Sequence, residues 1–251
     1  TGKLLLLNML LRVFGKKAEK TDVLDALLGS KQVKEEEAIV EIAKRIDDFV
    51  SSLNVDVEMH YTKVLLYPRL APEYAYFGKI DKVKMYIRET MKALRDFETM
   101  VTNRRDYVET VLRPHLKLKW IIPDLDRELD ELRVHAFHQL ALAYMLVDML
   151  KNASKYAQEA CKSARKLGNA YYEIMSCGLR RRIEILMSGL IPYSKFAELW
   201  LRALQKIDTL DAELATTTLS DYIVALVSVG RLTDVNKLLE EWNWMLELQP
   251  R

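Results

Sequence analysis

The segment Phe77-Gly78-Lys79-Ile80-Asp81-Lys82-Val83 returns later in the chain as Val229-Gly230-Arg231-Leu232-Thr233-Asp234-Val235. Each copy places a glycine after a hydrophobic residue, then a basic residue, an aliphatic residue and, three positions further on, a valine. Both copies lie between stretches whose apolar residues recur at helical spacing. A glycine between two such stretches is typical of the turn of a helical hairpin. The pattern therefore predicts a two-helix unit that is used repeatedly.

The composition of the whole chain supports a helical protein. Of its 251 residues, 50% are hydrophobic and 29% are charged, which excludes a disordered chain. Only 8 Gly and 6 Pro are present, too few for the many turns of an all-β fold. We therefore expect an all-α protein. The formal net charge of +2 is too small to indicate nucleic-acid binding by itself.

The N-terminal region combines a leucine-rich stretch with a charged break. The stretch Leu4–Phe14 has about 11 residues and as a helix spans about 16 Å, half of what a bilayer requires. It is predicted to form a buried helix; contact with an upstream domain and an interfacial membrane anchor are the alternatives. Because the chain begins at Thr1, we expect it to be a piece of a longer protein. The expected domains are an N-terminal helical segment, 1–56, packing on the first repeat or on an upstream domain, and helical repeats over 57–251.

A resemblance to a known family rests on the segment Ala153–Asn169, ASKYAQEACKSARKLGN. It resembles the second helix and exit turn of a tetratricopeptide repeat. That family places a small residue where paired helices approach closely, a position occupied here by Ala153, Val83 and Val235. A second small residue lies seven positions further on, where this chain has Ala160, Thr90 and Trp242. Trp242 departs from the family pattern.

The spacing of the predicted turns extends the resemblance. Asp148, Gly189 and Gly230 are 41 and 41 residues apart, longer than the usual tetratricopeptide unit. This period is similar to the helical repeats of signal-transducing ATPases and transcription regulators. The resemblance covers roughly residues 57–250. It implies an α-α superhelix, a tetratricopeptide-like solenoid of antiparallel helix pairs.

Three local features of the sequence lead to further predictions. Pro68 and Pro72 are predicted to break or kink the helix before Gly78. The alternating stretch Leu116–Ile122 is expected to connect two helices. Cys161 and Cys177 lie in predicted helices and indicate no disulfide framework, so we expect a cytoplasmic protein.

The leading functional hypothesis is a non-enzymatic scaffold that binds a partner peptide or helix on a concave surface of first helices. The side chains expected on that surface are aromatic residues or bases of the predicted first helices, and packing between repeats is their alternative role. They are Tyr61, Tyr74, Tyr144, Tyr171, Tyr172, Arg180 and Tyr222. Trp244 is a further candidate as an exposed aromatic residue near the C-terminus.

Two alternative functions stay open at this point. The first is a sensor or regulatory repeat region of a multidomain ATPase or transcription regulator, which an upstream nucleotide-binding domain would support. The second is a nucleic-acid-binding α-solenoid that uses basic residues and one aromatic residue. Its residues are Arg104, Arg105, Arg113, Lys117, Lys119, Trp120, Arg181 and Arg182.

The sequence offers few candidates for a catalytic, cofactor or metal site. The chain has no Gly-rich phosphate loop, no Cys-x-x-Cys and no His-Glu-x-x-His, and we expect neither an enzyme nor a cofactor. Glu131, His135 and His138 lie on one helix face and form a weak metal candidate, with a helix–helix seam as the alternative. A protein partner is expected, nucleic acid is less favoured, a membrane partner is disfavoured, and a small-molecule partner is left open.

Overall fold

The computed structural model describes residues 35–119, 124–191, 193–206, 210 and 212–247. Within these residues the backbone forms ten α-helices and no strand, which confirms the predicted all-α class. The helices are α1 (Glu35–Ser51), α2 (Asp56–Tyr76), α3 (Ile80–Asn103), α4 (Arg105–Lys119), α5 (Leu125–Leu146), α6 (Leu150–Leu167), α7 (Ala170–Ser188), α8 (Tyr193–Leu204), α9 (Ala212–Ser228) and α10 (Leu232–Glu247). The predicted helix Leu4–Phe14 and Trp120 lie outside the described residues.

Three hairpin turns have the same backbone geometry. At the first, the Lys79 N–H donates to the Tyr74 carbonyl (2.9 Å) and the Gly78 N–H to the Ala75 carbonyl (3.0 Å). These two bonds are those of a Schellman motif, which closes a helix with one left-handed residue. The same pair of bonds recurs around Asp148 and around Gly230. The sequence prediction of equivalent turns at these positions is confirmed.

The backbone conformation at these turns explains why two of them contain glycine. Gly78 and Gly230 have φ values of 67° and 73°, a region that side chains with a Cβ disfavour. Asp148 adopts φ 57° in the same role, and aspartate is among the few residues that tolerate this conformation. Gly189 is also left-handed, but its N–H bonds to the Ile185 carbonyl (2.7 Å), so its helix ends differently.

The residues at the first small position of the repeat pattern are buried after each turn. Val83, Ala153 and Val235 are each buried, and each N–H bonds back to the residue that follows the left-handed position. Thr90 and Ala160, seven residues further on, are buried as well. Trp242 is the larger residue at that position and is partly buried, with its ring edge-on to Trp200 at 5.7 Å. The departure at Trp242 is thus accommodated by aromatic packing.

Pro68 and Pro72 do not break their helix, so that part of the prediction is wrong, and a kink there stays a prediction. Helix α2 runs through Pro68 and Pro72, and α4 runs through Pro114. Pro68 and Pro72 are themselves buried, so the packing of α2 holds the helix where two backbone hydrogen bonds are lost. The described part of the stretch Leu116–Ile122 is also helical, because α4 continues to Lys119.

Two compact units divide the chain, with the boundary between Leu132 and Arg133 inside α5. In the first unit, α2 and α3 form a hairpin whose buried faces include Tyr67, Tyr74 and Tyr86. In the second unit, Ala141, Ala153, Ala157, Leu179 and Ile183 form a core between α5, α6 and α7. A neighbouring core joins α7, α8 and α9 around Trp200. The domain division at residue 56 stays a prediction.

Helices α6 and α7 are also linked covalently. Cys161 and Cys177 form a disulfide with Cα atoms 4.8 Å apart, and both residues are buried beside Leu199. The expectation that these cysteines indicate no disulfide is therefore wrong. Sequence spacing did not reveal the pair, because the bond depends on how two successive helices pack. Among the described helices, none combines the length and apolar character needed to cross a bilayer.

Candidate functional site

A buried polar cluster lies in the first unit where α2, α4 and α5 meet. The Tyr61 hydroxyl donates to Oε1 of Glu128 (2.7 Å) and contacts the ring of His115. Lys119, one turn after His115, places Nζ 2.8 Å from Oε2 of Glu128 and 2.6 Å from Glu131. Tyr61, His115, Glu128 and Glu131 are all buried, and Lys119 reaches them from the surface.

The electrostatics of this cluster favour the ionised pair. Burial disfavours the charged form of Glu128, but hydrogen bonds from His115, Lys119 and Tyr61 and the charge of Lys119 outweigh it and lower the Glu128 pKa to about 2. Burial likewise opposes the charge on Lys119, yet Glu128 and Glu131 raise its pKa. The cluster is therefore a paired and hydrogen-bonded charge group inside the core, an arrangement that stabilises one packing of three helices.

Two residues of this cluster do not have the surroundings that the sequence analysis expected for them. Tyr61 was expected on a partner-binding surface, and its side chain is buried. Lys119 was expected to contact nucleic acid, and two carboxylates neutralise its ammonium group. Tyr74 is also buried, stacked on Tyr86 within the α2–α3 hairpin, so we remove Tyr61 and Tyr74 from the proposed surface.

The first helices of the second unit carry a row of polar side chains. Arg182 of α7 binds Asp221 of α9, with Nη2 and Nε both 2.8 Å from Oδ2. Burial raises the pKa of Asp221, and the hydrogen bond and the charge of Arg182 offset part of this increase. On α5, burial and then the charge of Arg182 lower the pKa of His138 to about 4, so its ring is neutral at physiological pH. Its Nδ1 atom is enclosed without a hydrogen-bond partner.

Arg182 and Asp221 belong to one partly exposed strip of α7 and α9. On α7 the partly exposed residues Tyr171, Met175 and Arg182 recur at intervals of 4 and 7 residues, which places them on one side. On α9 the same reasoning groups Thr217, Asp221 and Val224. We call these six residues the first-helix face. Its chemistry combines an aromatic ring and apolar groups with a guanidinium–carboxylate pair.

The other predicted partner-binding residues of this unit are partly buried and engaged in local contacts. Tyr144 stacks on Tyr156, and Tyr222 stacks between Tyr193 and Trp200. Tyr172 contacts Tyr171 edge-on at 5.6 Å.

One further predicted residue lies away from the first-helix face. Arg180 pairs with Glu184 (2.8 Å) and lies about 200° around the helix from Arg182, so the two point to different sides. The side chain of Trp244 lies outside the described part of the structure.

The residues of the nucleic-acid hypothesis are largely paired with carboxylates. Arg105 donates two hydrogen bonds of 3.0 Å to Asp126, and Arg104 lies 3.3 Å from Asp56. In the second unit, Arg181 pairs with Glu184 (2.6 Å) and Arg182 with Asp221. Arg113 and Lys117 are exposed on α4. The carboxylates therefore offset most of the positive charge that phosphate binding requires.

The metal hypothesis finds no support in geometry. In the described ranges no group of three or more His, Cys, Asp or Glu side chains is placed to hold a metal ion. Glu131, the proposed carboxylate ligand, is bound by Lys119 instead. His138 is buried beside the charge of Arg182, which disfavours a second cation there. His135 shares the helix face but does not complete a site with these two residues.

Sequence reasoning missed a pair of tyrosines that accompanies two of the hairpin turns. Tyr74 and Tyr144 precede Gly78 and Asp148 by four residues, and Tyr86 and Tyr156 follow them by eight. Both pairs stack across their hairpins, at centroid distances of 5.5 and 5.6 Å. The equal offsets were visible in the sequence and could have shown that these tyrosines face inward.

Comparison with protein-family models, with curated proteins and with solved structures found no match.

Proposed function

We propose that the protein is a non-enzymatic interaction module that binds a peptide or helix of another protein on the first-helix face. The observation that carries this proposal is the recurrence of one hairpin turn, with the same two backbone hydrogen bonds, at Gly78, Asp148 and Gly230. Repeated helical hairpins are a common way to build an extended binding surface. A superhelical stacking of these hairpins, as in tetratricopeptide-like solenoids, is part of the proposal.

The first-helix face has the chemistry of a peptide-binding surface. Tyr171 supplies an aromatic anchor with a polar tip, which is favoured at interfaces because it buries area at low entropic cost. Arg182 and Asp221 offer donors and acceptors while compensating each other in the unbound state. Val224, with 52% of its surface exposed, adds apolar area beside them. A partner segment with apolar residues and at least one polar group matches this combination.

An alternative is that the chain is a regulatory repeat region of a larger ATPase or transcription regulator, which would use the same surface. Finding an upstream nucleotide-binding domain in the gene would support this alternative. Nucleic-acid binding is less favoured because the carboxylates described above pair with four of the arginines in the proposed set.

The proposed function is tested by affinity capture from lysate of the native host, with and without nuclease, followed by mass spectrometry. We expect a protein partner that is retained after nuclease treatment. Retention that disappears with nuclease, together with binding to single-stranded nucleic acid that weakens steeply with salt, would overturn the proposal in favour of the basic residues of α4.

A further inference from the structure

Exposed hydrophobic side chains in the second unit concentrate at the turns that follow α5, α7 and α9. Most of its exposed large hydrophobic residues lie within three positions of Asp148, Gly189 or Gly230, and Leu201 and Val224 are the exceptions among the described residues. The most exposed of those near a turn are Leu190 at 74% and Leu232 at 60%. Turn residues are usually polar, and single exposed apolar residues are scattered on most surfaces. A concentration at one kind of position therefore indicates a functional surface.

The connectivity of the second unit places these turns at one end of it. Helices α5 and α6 are joined by a tight turn at Asp148, and α6 and α7 by Gly168 and Asn169 alone. Short connections make successive helices antiparallel, so α5 and α7 run in the same direction. Ala141 of α5 packs in one core with Ile183 of α7.

The same alternation continues through α8 to α9. Arg182 of α7 contacts Asp221 of α9, which places these two helices side by side. The C-terminal ends of α5, α7 and α9, and the turns that follow them, therefore lie at the same end of the unit. We call this end the turn edge.

Among the described residues near these turns, exposed lysines outnumber the exposed acid Asp148. The acidic side chains near Gly189 and Gly230 are already paired: Glu184 binds Arg180 and Arg181, and Asp234 binds Arg231. Exposed lysines lie within seven residues of the turns, about 10 Å along a helix, a distance comparable to the Debye length of about 8 Å at physiological ionic strength. They are Lys151, Lys155, Lys195 and Lys237.

We infer that the turn edge binds the surface of an anionic membrane. Leucine side chains that project from turns, flanked by lysines, match the interfacial region of a bilayer, where apolar groups insert and ammonium groups meet acidic headgroups. A second copy of this chain is a poorer occupant, because joining two such edges would bring like charges together. This inference concerns a surface separate from the first-helix face and does not depend on the proposed protein partner.

The test is sedimentation of the full chain with vesicles of phosphatidylcholine alone and of phosphatidylcholine mixed with phosphatidylserine. We expect binding to the mixed vesicles that weakens as salt is added. The variant Leu190→Ser/Leu232→Ser should reduce the affinity about tenfold or more, since each leucine loses its burial in the interface. Lys151→Ser should reduce it about fivefold through the loss of one positive charge.

Leu201→Ser is the matched control, because Leu201 is 61% exposed but lies in the last turn of α8, at the opposite end of that helix from Gly189. It should bind mixed vesicles as the wild type does. Circular dichroism checks that each variant folds, and Lys151→Ser tests the same edge without changing an apolar residue. No binding to mixed vesicles, or binding that neither the leucine pair nor Lys151→Ser weakens, would overturn the inference. Self-association that the leucine pair abolishes would also overturn it and would make the edge an interface between copies.

Discussion

Tyr144 stacks on Tyr156 across the Asp148 turn, with ring centroids 5.6 Å apart and ring planes 12° from parallel. Tyr74 and Tyr86 make the same contact across the Gly78 turn, at 5.5 Å and 14°. Each pair joins the two helices of a hairpin just beyond a Schellman turn with the same hydrogen bonds. The two hairpins are therefore built on one plan, although their sequences share few residues.

The left-handed turn at Asp148 gives a direct stability prediction. Asp148→Gly should increase the free energy of unfolding by about 1 kcal/mol or less, because glycine adopts a positive φ without the strain that a Cβ introduces. The measurement is urea unfolding followed by circular dichroism.

Gly230→Ala is the control for this change and should destabilise by about 1 kcal/mol. A Cβ at Gly230 meets no atom within 4 Å, so the backbone conformation is the only cost. A loss of stability in Asp148→Gly would contradict the account of this turn.

Because Glu128 is buried in its charged form, we predict that the protein loses stability in acid. Its pKa is about 2 in the folded protein, below the ordinary value of 4.5, so its contribution to stability is complete above about pH 4.5 and is lost as the pH falls toward about 2. This contribution is on the order of 3 kcal/mol. Glu128→Gln should remove that part of the pH dependence. Near neutral pH the variant should be less stable by about 3 kcal/mol, because Lys119 loses its main partner.

Glu109→Gln is the matched control, since Glu109 forms an exposed pair with Arg105. It should change the free energy of unfolding by well under about 1 kcal/mol. Urea titrations across the acid range measure both variants. Equal acid sensitivity of the wild type and Glu128→Gln would refute the role given to this carboxylate.

His138 predicts a second pH effect at higher pH. Its folded pKa of about 4 lies below the ordinary value of 6.5, so the unfolded chain binds a proton first as the pH falls. Stability should therefore decrease from about pH 6.5 toward about pH 4, by at most about 2 kcal/mol near pH 5. NMR titration of the His138 ring, assigned with His138→Asn, should give a midpoint near 4. An ordinary midpoint of 6.5 would show that the ring is solvated and not enclosed between the helices.

The Cys161–Cys177 bond predicts redox-dependent stability. It closes a loop of 16 residues, for which chain entropy gives a stabilisation of about 3 kcal/mol. Reductant should lower the Tm of the wild type. The variant Cys161→Ala/Cys177→Ala should have a low Tm that reductant does not change. Alkylation of both cysteines in protein unfolded without reductant would show that the bond is not formed.

The turns could be predicted from sequence because their causes are local. Gly78 and Gly230 follow apolar helices at positions that require a positive φ, and Asp148 was found from its 41-residue distance to Gly189. A Schellman turn depends on only a few neighbouring residues, so the sequence around each position carries the information.

The inward tyrosines and the disulfide depend on contacts between helices. Tyr61 was expected at the surface, yet it is enclosed by His115 and Glu128, which lie 54 and 67 residues away in sequence. Cys161 and Cys177 meet only when α6 and α7 pack in one register. Helical spacing gives the side of a helix but not the neighbour that covers it, so these residues could not be placed from one sequence.

The central claim is that the first-helix face binds a protein partner. The most direct measurement compares the nuclease-resistant partner captured by the wild type, by Tyr171→Ala/Val224→Lys and by Glu159→Ala/Lys162→Ala. The first variant changes the first-helix face, and the second changes exposed residues of α6. We predict that the partner is lost from the first variant and retained by the wild type and the second. Equal capture by all three proteins would contradict the claim.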